Sequence, residues 1–205
     1  MSNRDLRRAL DALYWEATYR KRATGKDTGQ AFLEDLQALD EDFAQALRES
    51  GIRGGKLLEI GTGAGWQAIQ FAQRGFEVTA TDVSETGVAE AARNCAACQA
   101  NVRLLVDDIL KSSLDEKFDV IVDRGCYTTL AARFLSDYVA QVSKLIQSNG
   151  LFLLKLDRKS ESRLSHVLSL FDCLKQVHGA YKGPAPLNVV YKTTFCVLCP
   201  MAAPT

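Results

Sequence analysis

The sequence predicts an α/β fold of three layers, with helices on both faces of a doubly wound, mostly parallel sheet. Three observations predict it. Residues 56–82, KLLEIGTGAGWQAIQFAQRGFEVTATD, read as a strand, a glycine-rich turn, a helix and a second strand that ends in a carboxylate. Further apolar runs at 102–106, 118–122 and 151–156 alternate with helical periodicity, as crossover-linked parallel strands do. Two late β stretches, Cys173 to Ala180 and Val189 to Leu198, flank the Pro/Gly loop KGPAPLN.

The whole chain sets the bounds. Its 205 residues suit one domain with a sizeable core, and 47% apolar with 24% charged residues is a globular composition. Twenty-five basic residues balance 25 acidic ones, against the basic excess that nucleic-acid binding favours. No apolar run approaches the length that spans a bilayer, and the charged N-terminus does not read as a signal sequence, so the expected setting is cytoplasmic. Six cysteines then read as reduced thiols. The pairs Cys95/Cys98 and Cys196/Cys199 have metal-ligand spacing, but the second lies on a strand, where an odd step sends the thiols to opposite faces. Core thiols and no metal are expected.

In chain order, residues 3–22 carry Leu6, Leu10, Leu13 and Ala17 at helical spacing. A polar loop, Ala23 to Gly29, leads to a second helix with Phe32, Leu36, Leu39, Phe43 and Leu47 on one stripe. Residues 1–54 are thus expected to form a helical cap on a core of 55–200. Trp15 and Tyr19, one turn apart, read either as core or as an aromatic cover over a ligand.

The strand with Leu57, Leu58 and Ile60 breaks at Gly61, Gly63 and Gly65. Glycine lets the backbone approach a ligand beyond the strand ends, and Asp82, about twenty positions on, is placed to accept ribose hydroxyls. The last glycine of the dinucleotide fingerprint is replaced by Trp66, which disfavours NAD and FAD. No GxxxxGK[ST] occurs, and Glu59 would repel a pyrophosphate while suiting an ammonium or sulfonium.

Glu59-Ile60-Gly61-Thr62-Gly63-Ala64-Gly65 resembles the E/DxGxGxG motif of class I S-adenosylmethionine-dependent methyltransferases. The resemblance implies a Rossmann-like sheet closed by an antiparallel hairpin, and S-adenosylmethionine as cofactor.

Ser84 caps the next helix, with Val88, Ala91, Ala92 and Cys95 inward. The strand Val102–Val106 ends in Asp107-Asp108-Ile109, and the resemblance maps the adenine contacts to Asp108 and Ile109. The strand Phe118–Val122 runs into Asp123-Arg124-Gly125-Cys126-Tyr127. This DRGxxxxL stretch resembles a motif of small-molecule methyltransferases of the thiopurine, thiol and tellurite-resistance types, without their histidine or second aromatic.

A helix through Leu130, Phe134, Tyr138, Val142 and Leu145 is expected to close at Asn149-Gly150 before the strand Leu151–Leu156. Another carries Leu164, Val167, Leu168 and Phe171. The histidines, His166 and His178, fall away from strand ends and read as surface or core.

The resemblance implies cofactor contacts from Trp15, Glu59, Gly61, Thr62, Gly63, Gly65, Asp82, Val83, Asp108, Ile109 and Asp123. Asp123 is the candidate base and Tyr127 a positioning hydroxyl. No Asn/Asp-Pro-Pro-aromatic motif is present and no added substrate domain is visible. The expected acceptor is therefore a small molecule, a thiol or other chalcogen species being one candidate class, on a monomer or homodimer that binds neither nucleic acid nor membrane. The alternatives are a protein lysine methyltransferase and a non-catalytic binding module.

Overall fold

A computed structural model describes residues 3–24, 38–182 and 190–201. Residues 25–29 of the polar loop, Phe32 and Leu36 of the expected second helix, and residues 183–188 of the Pro/Gly loop lie outside them.

Seven strands form one sheet: β1 (Gly55–Ile60), β2 (Phe76–Asp82), β3 (Val102–Val106), β4 (Phe118–Arg124), β5 (Ile146–Asp157), β6 (Phe171–Lys182) and β7 (Val190–Pro200). Their order is β3-β2-β1-β4-β5-β7-β6, with β7 antiparallel to both neighbours and β1 to β5 parallel. The order reverses between β1 and β4, which puts the ligand crevice beyond their carboxyl ends.

Alternation along the strands loads both faces. One face buries Leu58, Ile60, Ile121, Phe152 and Leu154 against Tyr138, Val139 and Val142 of α6 (Leu135–Leu145). The other buries Leu57, Val120, Val122 and Leu153 with Phe43 and Leu47 of α2 (Glu41–Ser50) and Ala68 and Phe71 of α3 (Trp66–Ala72).

Two glycines of the first turn are sterically required. Gly61 has φ +71°, and a Cβ there would come within 2.8 Å of the Cys126 Cβ. Gly65 has φ +82°, and its Cβ would meet Ala91 Cβ of α4 (Glu85–Ala97) at 2.9 Å.

Several sequence expectations are corrected. The N-terminal helix forms as α1 (Asn3–Ala23), but Leu6, Leu10 and Leu13 are 47–61% exposed, while Thr18 and Tyr19 are buried. Polar fasteners choose the inward face. The Glu16 carboxylate accepts from Ser84 Oγ (2.7 Å), Thr86 N (3.1 Å) and Thr86 Oγ1 (2.6 Å) at the start of α4, and Arg22 pairs with Glu90 at 3.2 Å.

The helix expected from Leu130 is split. Residues Cys126–Thr129 form the short α5, a 3-10 turn spans 132–134, and α6 starts at Leu135. Asn149-Gly150 caps nothing: β5 begins at Ile146, and its register against β4 slips between Phe118 and Val120 to absorb the extra residues. The helix expected to reach Phe171 stops at Val167 as α7 (Leu164–Val167), and buried Phe171 opens β6 instead.

Asp123 sits beneath the sheet's ligand end with no exposed surface. Its Oδ2 accepts from Tyr138 Oη at 2.5 Å and from Tyr127 N at 2.9 Å, locking α6 and the turn after β4 together. Burial pushes this carboxyl up to about 6, against hydrogen bonds that pull it down. The native state therefore holds a proton that the unfolded chain has lost, so this contribution is full below about pH 4 and is lost as pH rises to about 6.

Denaturant titrations should show wild type losing stability relative to Asp123→Asn by roughly 3 kcal/mol across that window. An unchanged difference would contradict the linkage. Tyr138→Phe should cost about 1–3 kcal/mol.

Candidate active site

A cavity of about 520 Å³ opens at the carboxyl ends of the central strands, within the size range of small-molecule sites. Its floor comes from the ends of β1 and β2 and the turn Gly61–Thr62. One end is closed by Asp107, Asp108 and Ile109 after β3, the other by the ends of β4 and β5 and the turn after β4, and α1 forms the roof.

Asp82 ends β2 and is 7% exposed. Its Oδ2 accepts from Gly63 N at 2.9 Å and its Oδ1 from Ser84 N at 2.9 Å, which fixes the carboxylate at the crevice edge. The backbone amides of Gly63, Ser84 and Val83 use part of its acceptor capacity of about four sites, so a ligand hydroxyl can still donate to it. Burial raises its pKa, and the backbone donors oppose that rise.

Glu59 is 3% exposed at the end of β1, and its Oε2 accepts from Thr62 Oγ1 at 2.7 Å. Burial pushes it up to about 7, so a cation brought beside it would favour the ionised form.

At the β3 end, Asp108 Oδ1 accepts from Leu110 N at 3.0 Å, and its Oδ2 pairs with Arg8 Nε of α1 at 2.9 Å. Asp107 Oδ1 accepts from Ser113 N and Ser113 Oγ, both at 2.9 Å. In the roof, Trp15 stands edge-on to Tyr14 with ring centroids 5.4 Å apart, and 6.4 Å from Tyr19.

Of the residues singled out from the sequence, Trp15, Glu59, Gly61, Thr62, Asp82, Val83, Asp108 and Ile109 line this one cavity. Gly63 and Gly65 stand behind it, one donating to Asp82 and the other packed on Ala91.

Asp123 and Tyr127 are corrected: neither lines the cavity. Asp123 is consumed by Tyr138 and the turn amides, and Tyr127 Oη donates to Arg163 O at 2.7 Å on the far side of the turn. The geometry supports neither a cofactor contact nor base duty for Asp123, nor a substrate-facing hydroxyl for Tyr127.

The lining also includes groups that were not singled out: Arg8, Asp11, Arg124, Lys155, Thr128 and Thr193. Arg124 and Lys155 were findable, since each sits at a strand's carboxyl end, in FDVIVDR and LFLLKLD. Thr193, at the start of an antiparallel strand, carried no such signal.

All six cysteines are free, and among the described residues no His/Cys/Asp/Glu group is placed to hold a metal. Neither histidine lines the cavity: His166 contacts Ser136, and His178 contacts Thr194 and Glu161. No helix among the described residues is long and apolar enough to cross a membrane.

The chain matches the methyltransferase-domain family over residues 57–150. It is 38% identical over 74 residues to the release factor glutamine methyltransferase of Lactococcus lactis, a match covering 35% of this chain and 27% of that protein. It is 26% identical over 159 residues to the enzyme of that name from Flavobacterium psychrophilum, covering 73% of this chain and 54% of that one. The chain thus spans about a quarter to a half of the length of these curated relatives.

Among solved structures, a protein described for the conversion of a disulfide bond into a thioacetal group during echinomycin biosynthesis superposes with a TM-score of 0.78. It is 19% identical, with 92% of each chain covered, a likeness of fold. The glycine turn, the strand order and the match over residues 57–150 agree: the chain carries a methyltransferase domain with the fold of the S-adenosylmethionine-dependent enzymes.

Proposed function

We propose that this protein transfers the methyl group of S-adenosylmethionine to a small acceptor, with a thiol or another chalcogen species the favoured class. The observation that carries the reading is the convergence of Asp82, Glu59 and the Gly61 turn on one cavity roofed by aromatic residues of α1. Gly61 packs against Cys126, where an added Cβ would stand 2.8 Å from the Cys126 Cβ, and both residues line the cavity.

Bound there, the donor supplies an electrophilic methyl on a sulfonium. Asp82 receives the ribose hydroxyls, Glu59 the ammonium, and Asp108 with Ile109 the adenine edge. Trp15 and Tyr14 shed water from the reacting atoms and offer aromatic faces to the cation. In this reading α1 and α2 cap the core. Glu16 is the fastener, because its carboxylate joins α1 to the start of α4 beside Asp82.

The absence of Asp123 and Tyr127 from the cavity bears on the acceptor. Around the β4 and β5 end stand Arg124, Lys155, Thr128, Thr193 and Asp157, and the Asp157 Oδ1 already accepts from Lys159 N at 3.0 Å. An acceptor that ionises by itself and needs only to be held in line suits such a site, which favours a thiolate over an amine.

The fold neighbour from echinomycin biosynthesis, where a disulfide becomes a thioacetal, points toward sulfur. The release factor relatives point instead to a glutamine. Against that, β4 here ends in Asp123-Arg124-Gly125-Cys126 rather than an Asn/Asp-Pro-Pro-aromatic motif. Zero net charge and six free cysteines fit a small acceptor in a reducing cytoplasm, handled by a monomer or homodimer.

Calorimetry should show one site for S-adenosylmethionine and one for S-adenosylhomocysteine. Asp82→Ala should weaken both by roughly 10- to 100-fold, the loss of charge-assisted hydrogen bonds. No wild-type binding would end the enzyme reading in favour of a binding module. Gly61→Val should abolish binding while leaving a folded far-ultraviolet spectrum. Glu16→Ala should release α1, raising the donor dissociation constant several-fold and red-shifting Trp15 fluorescence in a Trp66→Phe background. With radiolabelled donor, small thiols and selenite should accept label, and labelling confined to lysine or glutamine peptides would sink the small-acceptor claim.

A further inference from the structure

The surface of α1 that faces away from the cavity carries an apolar seam. Leu6, Leu10, Leu13 and Ala17 follow one another at steps of four, three and four residues, the spacing that keeps side chains in line when two helices pack lengthwise. Leu6, Leu10 and Leu13 are 47%, 55% and 61% exposed, Tyr14 beside them is 57% exposed, and Ala17 is exposed too. The opposite surface of the same helix holds Arg8, Asp11 and Trp15, which line the cavity, and the buried Tyr19. At about 100° per residue the two surfaces lie nearly back to back, so the seam points outward from the roof.

Spacing, charge and size indicate what fits it. A patch on the order of a few hundred Å² marks an interaction site, and alternating steps of four and three call for another helix with the same steps. α1 is itself such a helix. It also complements a copy running the other way: Asp5 stands in its first turn, Arg20, Lys21 and Arg22 stand in its last, and antiparallel helices oppose their dipoles. With Leu10 of each copy against the partner's Leu13, Leu6 meets the partner's Ala17 and Asp5 comes level with the partner's Arg20. Both charged side chains keep exposed surface, 45% and 70%, beside Arg8 and Glu16 of their own helix. An acidic lipid surface fits less well, since Arg8, Arg20 and Arg22 are already paired with Asp108, Glu16 and Glu90. The seam alone falls short of the roughly 800 Å² per partner that a standard interface buries, so the flanks contribute and the association is modest.

We propose that α1 pairs with α1 of a second copy, antiparallel about a two-fold axis that passes between Leu10 and Leu13. Such a pair is self-complementary and closed, and it puts a second helix behind the roof of each cavity. The pairing stands independently of the methyl-donor reading.

Sedimentation equilibrium of the full chain tests it. Wild type should follow a monomer–dimer equilibrium with a dissociation constant of roughly 1–100 μM. Leu10→Glu, at a side chain exposed in the single copy, should raise that constant at least roughly tenfold without changing the far-ultraviolet spectrum. Leu13→Lys should act likewise. The double variant Leu10→Glu/Leu13→Lys should restore dimerisation, because the antiparallel register sets each new acid opposite a new base. A wild type that stays monomeric overturns the proposal and needs no substitution, so it decides even where a variant fails to fold. A dimer that survives Leu10→Glu places the interface elsewhere, and a double variant that stays monomeric removes the register; either result overturns the proposal. A monomeric wild type that sediments with phosphatidylserine/phosphatidylcholine vesicles, and loses this in Leu10→Glu, assigns the seam to a membrane surface and overturns it as well.

Discussion

A single buried carboxylate holds the ligand end together. Asp82 ties the glycine turn to β2 through Gly63 N, and β2 to α4 through Ser84 N. Ser84 in turn accepts from Gly87 N to cap α4 and donates its hydroxyl to Glu16 of α1. Four elements thus meet at one acid and its neighbour. Burying a charge there is costly unless it is hydrogen-bonded, and the backbone amides that satisfy it are those that fix the turn's shape. Structural need and ligand geometry coincide at this residue, so disturbing it cannot be local.

Much of this was legible in the sequence. The strand Val102–Val106 forms with the bounds its apolar run suggests, and the glycine turn, Asp82 and the aromatic pair of α1 all reach the cavity. Short strands between glycines and acids leave little choice of register when both sheet faces are buried. Where the reading failed, the missing information was tertiary. Leu6, Leu10 and Leu13 have helical spacing, yet the opposite face of α1 turns inward, because Glu16 and Arg22 find partners on α4 that lie 68 or more residues away in sequence. Periodicity reports an apolar stripe but not which face a neighbour can satisfy.

The misreading of Asp123 has a different origin, the parity of a strand. At the end of β4, Asp123 and Ile121 point to the face packed by α6, whereas Val122 and Arg124 point to the opposite face, which ends at the cavity. Proximity to a strand's carboxyl end makes both residues candidates, and only side-chain direction separates them. Tyr138, fifteen residues on and fully buried, claims the Asp123 carboxylate. Nothing in the DRG stretch announces that partner. The neighbouring arginine, one position away, reaches the cavity instead.

Cys126 supplies the last constraint on the chemistry. Its Cβ lies against Gly61, and the residue lines the cavity where a methyl donor's tail would run. A thiolate there would compete for the methyl group. Burial raises the Cys126 pKa well above the ordinary thiol value, and the carboxylates of Asp123, Asp82 and Asp108 push it the same way. Because the thiolate rather than the thiol is the nucleophile, the side chain stays inert beside a strong electrophile. An environment that suppresses ionisation of its own cysteine does the same to any acceptor group lodged equally deep.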